Sequence, residues 1–206
     1  MTYSPPARTA ARRTRSTILA VLVVVAAFIG ALGYQSLASS TAPALGILHG
    51  NHHDSLGKAD GVVTDGTTVF DDESPAVANL DPALHGALRQ AATDAADDGV
   101  ELYVNSGWRS PKYQEQLLHQ AISEYGSEEE AARWVATPNT SAHVSGDAVD
   151  IRVSDATTWL SEHGAEYGLC QIYSNEPWHY ELRPEAIDHG CPAMYADPTH
   201  DPRMQQ

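Results

Sequence analysis

Ten consecutive residues, Ser141-Ala-His143-Val-Ser-Gly146-Asp-Ala148-Val-Asp150, set the strictest condition on how this chain can fold. From Ala148 the order Ala-Val-Asp-Ile-Arg-Val suits a strand. Period-2 alternation then puts Val149, Ile151 and Val153 on a core face, and Ala148, Asp150 and Arg152 on the other. Gly146 lets the backbone turn, so that His143 in the preceding loop folds back toward Asp150. A second segment, Glu176-Pro-Trp178-His179, answers the first. Pro177 excludes a helix interior, and with it the helical H-E-x-x-H arrangement. Trp178, Tyr180 and Leu182 alternate with His179 and Glu181, so His179 can face a site while Trp178 packs behind it.

Singly, each of these residues is most simply read as a solvated group or a turn cap. Together they carry chemistry. His143, Asp150 and His179 offer two neutral nitrogens and a carboxylate, a three-ligand set for one zinc ion with a fourth position left for water. Glu176 is then a carboxylate left over beside the metal, as a hydrolytic general base would be. A two-His-one-carboxylate iron site is disfavoured, because His143 and Asp150 stand seven residues apart rather than two.

The pattern S-x-H-x-x-G-x-A-x-D followed by E-x-W-H resembles the zinc D-alanyl-D-alanine carboxypeptidases of the VanY and VanX type. Ser141, His143, Gly146, Ala148 and Asp150 match the first motif, and Glu176, Trp178 and His179 the second. With Ser106-Gly-Trp-Arg109-Ser upstream, the resemblance covers roughly residues 60 to 192. It implies an α+β domain, a small central antiparallel sheet flanked by helices, with zinc in a cleft on the sheet. It also implies Gln114, Ser141 and Trp178 as substrate contacts, although Ser141 could equally organise its turn. Arg109, at the end of a strand, would hold a substrate carbonyl or carboxylate and stabilise the oxyanion, making it and Glu176 the catalytic pair.

Charge narrows the partners. The formal net charge is −15, unevenly spread: residues 1–34 hold Arg8, Arg12, Arg13 and Arg15 and no acid. The remainder carries eight basic and 27 acidic residues, a net of −19, which excludes nucleic acid. Thr17 to Gly33 is an uncharged, almost wholly apolar run of bilayer length behind a basic tail. It reads as a single-pass anchor with the bulk of the chain outside, or as a cleaved signal peptide, given the small residues Ala38, Ser39, Ala42 and Ala44 that follow. In an exported domain Cys170 and Cys191 are expected to pair; free thiols are the alternative.

The expected organisation is a basic tail (1–15), an anchor or signal (16–34), a linker (35–60), a peptidase domain (61–192) and a loosely packed C-terminal tail (193–206). His49, His52 and His53 fall in the linker and are read as a tether, with an accessory metal tract as the alternative. Gly61 to Phe70 suggests a hairpin or an extended lead-in. Asp81-Pro82 starts a helix to about Asp98, with a buried stripe of Leu84, Leu88, Ala91, Ala92 and Ala95. Glu101 to Trp108 reads as a strand and Lys112 to Tyr125 as a helix. Ser127 to Glu130 is a capping box opening a third helix to about Ala136, with Trp134 in the core. A helix over Asp155 to Glu166 turns Trp159 and Leu160 inward, and Leu169 to Tyr173 and Glu176 to Leu182 are strands. His163 is expected on the surface of that helix, and His189 and His200 are not expected to bind metal.

The expected activity is zinc-dependent removal of the terminal D-Ala from peptidoglycan stem peptides by a monomer attached to the membrane through its N-terminal helix. A D,D-dipeptidase, an L,D-carboxypeptidase or a peptidoglycan endopeptidase would carry the same residues. A non-catalytic, metal-containing wall-binding module would not need Glu176.

Overall fold

The computed structural model describes residues 55–205, all within one compact unit, His52–Gln206. The expected anchor, most of the linker and its three histidines lie outside the described residues. Among the described residues no helix is long and apolar enough to cross a membrane.

The architecture is α+β. In chain order the elements that place the site are α1 (Pro75–Ala78), α2 (Pro82–Asp97), β1 (Val104–Ser106), α3 (Pro111–Tyr125), α4 (Glu128–Ala131), α5 (Ala142–Ser145), β2 (Ala148–Ile151), α6 (Asp155–His163), β3 (Leu169–Gln171), β4 (His179–Leu182) and α7 (Ala186–His189). The four strands form one antiparallel sheet in the order β1-β2-β4-β3. The register sets Ser106 against Asp150 and Asp150 against His179, so three functional stretches cross the middle of the sheet side by side.

One face of the sheet is packed. Helix α2 begins where Asp81 accepts from the amides of Ala83 and Leu84, with proline at its first position. Its stripe of Leu84, Leu88, Ala91, Ala92 and Ala95 is buried, as its periodicity predicts, and shares the core with Val104, Val149, Ile151 and Tyr180. On α6, Trp159 and Leu160 turn inward as expected.

Gly146 terminates α5 at φ +84, and a Cβ there would lie 2.6 Å from the Asn79 carbonyl. The Gly146 carbonyl also accepts from the Asp81 amide, which joins the motif loop to the start of α2. Gly146→Ala is therefore expected to lose roughly 1–3 kcal/mol of stability from left-handed strain, more if Asn79 cannot move; urea unfolding measures it.

Several expectations are corrected. Val153 is 60% exposed, because β2 ends at Ile151 before the alternation reaches it. Trp134 is not in the core: α4 is only one turn long, and the indole stacks on Tyr125 with 6.0 Å between ring centroids and both rings exposed. Gly61 to Phe70 is a lead-in broken by turns rather than a hairpin, joined to the sheet by a bridge from Thr68 to Tyr103. Packing starts earlier than residue 61, since Asp60 accepts from both the amide and the hydroxyl of Ser110.

The largest correction concerns the C-terminal tail, which is packed rather than loose. Asp197 and Asp201 are almost wholly buried. Short 3-10 turns cover Pro198–His200 and Pro202–Gln205. Tyr195 bridges to Tyr173 in parallel, with its amide bonded to the Ile172 carbonyl. Cys170 and Cys191 form a disulfide across a separation of 21 residues, tying β3 to the start of this segment. Replacing both cysteines by serine should lower stability by about 3 kcal/mol in the chain-entropy account, read as a shift in the midpoint of urea unfolding.

Candidate metal centre and cleft

Asp150 is the hub. Its Oδ1 lies 3.3 Å from His143 Nε2 and 3.2 Å from His179 Nδ1, and its Oδ2 accepts from Arg109 Nη2 at 2.7 Å. Donor atoms of His143, Asp150 and His179 all fall within 4.8 Å of one another, and all three residues are buried. In a tetrahedral site with bonds of ~2.0–2.1 Å, adjacent donors stand about 3.4 Å apart. The two spacings at Asp150 Oδ1 fit that edge, and two imidazoles with one carboxylate are a donor set that suits a divalent ion such as zinc.

Each imidazole is held through its other nitrogen. His143 Nδ1 donates to the Gly107 carbonyl at 2.8 Å, and the His143 carbonyl accepts from the Arg109 amide at 3.1 Å. The turn after β1 therefore clamps His143 by ring and backbone together. His179 Nε2 donates to Glu181 Oε1 at 3.2 Å, leaving Nδ1 as the atom that faces Asp150. Fixing the distal nitrogen selects the tautomer and orients the ring, as buried metal-binding histidines require.

Glu176 stands beside this set. Its Oε2 is 3.7 Å from His179 Nδ1, while its Oε1 is buried without a hydrogen-bond partner. Burial pushes its carboxyl up to about 7, against the pull of His179 and with the help of Asp150. Asp150 moves the other way: burial opposes ionisation, but His143, His179 and Arg109 hold its carboxyl well below the usual range. Burial and the Arg109 charge lower His143 against the pull of Asp150. His179 rises to about 9 despite burial, through its bonds to Asp150 and Glu181.

Arg109 is held from three sides, by Ser106 Oγ at 2.7 Å, Gln114 Oε1 at 3.1 Å and Asp150. These bonds occupy three of its five N–H groups. The amide of Gln114 is occupied at both ends, since its Nε2 donates to the Ala136 carbonyl at 2.8 Å. Gln114 lines the cleft and braces Arg109 there. Ser141 precedes α5 without capping it through its side chain, and Trp178 is half-buried at the cleft wall. Glu176, Ser141, Trp178 and the Tyr125–Trp134 pair line a cleft of ≈ 380 Å³ that contains the three candidate ligands.

Sequence reasoning passed over Glu181 and Ser106. Glu181 shares its strand face with His179, so the alternation already carried the signal. It also passed over Tyr173, whose ring lies 5.1 Å from that of His179. Arg203, which reaches Glu181 from the far end of the chain, gave no local signal at all.

Comparison with known proteins adds a family. Residues 77–185, more than half of the chain, match the model of the VanY family, D-alanyl-D-alanine carboxypeptidase. A D-alanyl-D-alanine carboxypeptidase of Enterococcus faecalis is 31% identical over 126 residues, covering 49% of this chain and 47% of its own. The chain thus spans about half the length of that curated relative. Among solved structures, VanYB in complex with D-alanine-D-alanine aligns with a TM-score of 0.49 at 30% identity, covering 54% of this chain and 74% of that one. The LD-carboxypeptidase LdcB aligns with a TM-score of 0.50 at 24% identity over 64% of this chain and 72% of that one, a likeness of fold.

Proposed function

The chain belongs to the VanY family of D-alanyl-D-alanine carboxypeptidases, and from that premise we propose that it is a zinc peptidase that removes the terminal D-Ala from peptidoglycan stem peptides. One observation carries the reading: a buried carboxylate oxygen with no partner, Glu176 Oε1, stands beside a buried His-Asp-His set. A module that only bound metal or wall would have no use for it.

His143, Asp150 and His179 would hold the zinc, and all three donors suit that ion. Zinc, when bound, supplies Lewis acidity, which lowers the pKa of a water and polarises a carbonyl. The remaining work falls to side chains of this chain. Glu176 takes a proton from the attacking water and hands it to the departing amine, and its raised carboxyl suits both transfers. Arg109 keeps Asp150 ionised and turned inward. Its two remaining N–H groups serve the oxyanion that develops on the scissile carbonyl. Gln114 and Ser106 keep the guanidinium from swinging away. Ser141 and Trp178, on the cleft wall, are the proposed contacts to the stem peptide.

Residues 16–34 are proposed as a membrane anchor, with the packed unit that takes in Asp60 at one end and Arg203 at the other as the catalytic domain outside the membrane, and the chain acting as a monomer. The support is the apolar run behind four arginines.

The test is direct. The purified chain, loaded with one equivalent of zinc, is incubated with a muropeptide pentapeptide ending in D-Ala-D-Ala, and products are read by mass spectrometry. Loss of a single alanine is the expected result. An intact pentapeptide, with cleavage instead of the free dipeptide, the tetrapeptide or a cross-bridge, would reassign the scissile bond. Survival of all four would overturn the peptidase reading.

A further inference from the structure

The stretch matched to the family ends at residue 185, yet the contacts supporting the site run on to residue 203. We propose that Arg203 is a positioning residue for the metal site, acting on His179 through Glu181. The inference rests on His179 being a zinc ligand.

The geometry forms a chain of contacts. Glu181, 1% exposed, accepts a hydrogen bond from His179 Nε2 on Oε1 at 3.2 Å. Arg203 grips the same carboxylate with two prongs, Nη1 to Oε2 at 2.6 Å and Nη2 to Oε1 at 3.2 Å. Arg203 is itself fixed by Asp201, which is fully buried and accepts from its Nε at 3.0 Å, its Nη2 and its backbone amide. Asp201 also accepts from the Tyr173 hydroxyl at 3.0 Å, and the Tyr173 ring lies against the His179 ring. The edge of His179 and one of its neighbours in the cleft are thus both referred back to the Arg203–Asp201 pair.

The physical need is specific. A buried carboxylate that orients a metal-binding imidazole must stay ionised and stay still. Glu181 is almost wholly shielded from solvent, so its direction depends on the arginines it meets. Arg183 also reaches Oε2, at 2.7 Å, but with one nitrogen. Among the described residues only Arg203 bonds to both oxygens, and bidentate geometry is what fixes a carboxylate in its plane.

Zinc affinity, read by competition with a chromophoric chelator and needing no substrate, tests the proposal on the full chain. Arg203→Ala should weaken zinc binding ~10- to 100-fold and shift the d–d bands of the cobalt(II)-substituted protein, because the field at His179 changes. Glu181→Gln should do the same, and the double variant should be no weaker than the weaker single one, since both changes cut one path. Zinc affinity and cobalt spectrum unchanged in Arg203→Ala, with only the melting temperature lowered, would overturn the proposal. Additive losses in the double variant would overturn the route through Glu181. If Arg203→Ala fails to fold, Arg203→Lys and Glu181→Gln decide: native zinc affinity in both would equally overturn it. A native protein that binds no zinc overturns the metal site and the proposal together, whereas native binding shared by every variant overturns the proposal alone.

Discussion

Glu176→Ala should bind zinc within a few-fold of the native affinity and release D-Ala from a pentapeptide ~100- to 10,000-fold more slowly. Two features separate this residue from the ligands. Its Oε1 has no hydrogen-bond partner among the described residues, so truncation breaks no hydrogen bond at that oxygen. Its Oε2 approaches His179 only at 3.7 Å, while His179 keeps Asp150 and Glu181 at 3.2 Å. Removing a buried carboxyl already pushed up to about 7 by burial also relieves a desolvation cost, so the variant should melt no earlier than the native protein. Glu176→Gln is the sharper control, because it keeps the volume and loses only the ability to carry a proton. Initial rates by mass spectrometry and zinc by competition titration provide both readings. Turnover within ten-fold of native in Glu176→Gln would remove the general-base assignment.

Asp150→Ala should fail differently, losing zinc, activity and stability together. The carboxylate is a proposed ligand and also the buried partner of Arg109, whose side chain is 13% exposed. Deleting it leaves the guanidinium in place with its charge uncompensated, a loss of about 3 kcal/mol at the low end for breaking a buried pair. For a chain of this size that corresponds to a melting temperature lower by about 10 °C. Asp150→Asn separates the two effects. It offers Arg109 a neutral acceptor of the same shape, keeping the hydrogen bond but not the charge, so in the absence of zinc it should melt between Asp150→Ala and the native protein while still binding the ion poorly. If Asp150→Ala and Asp150→Asn both melt with the native protein, Arg109 draws no stability from this carboxylate.

What could be read ahead of the structure divides along physical lines. The stripe of α2 was legible because sixteen residues carry one period, and burial follows it residue by residue. The strands were recognisable in place but not in length. Each has only three or four residues, and all four residues of β2 are buried on both faces, so alternation gives no end signal. The ligand set and Glu176 were legible because they sit in two short segments with glycine and proline nearby. Trp134 was misplaced because size and apolarity say core, whereas the one-turn α4 leaves it on the cleft rim beside Tyr125. The last residues were misread for a deeper reason. Asp, Pro and His locally spell loop, and only pairing across large sequence distances makes their burial tolerable: Asp197 with Arg133, and Arg203 with Glu181.

The opposition of Asp150 and His179 across β2 and β4 has a consequence for how such a chain can vary. A pleated strand has a parity. Sliding β4 by one position would exchange its two faces: Tyr180 would turn toward the cleft and His179 into the apolar layer under α2. Length is therefore negotiable in the connections and forbidden inside these few residues. Any lineage or designer that lengthens this protein must do so in even steps or outside the sheet.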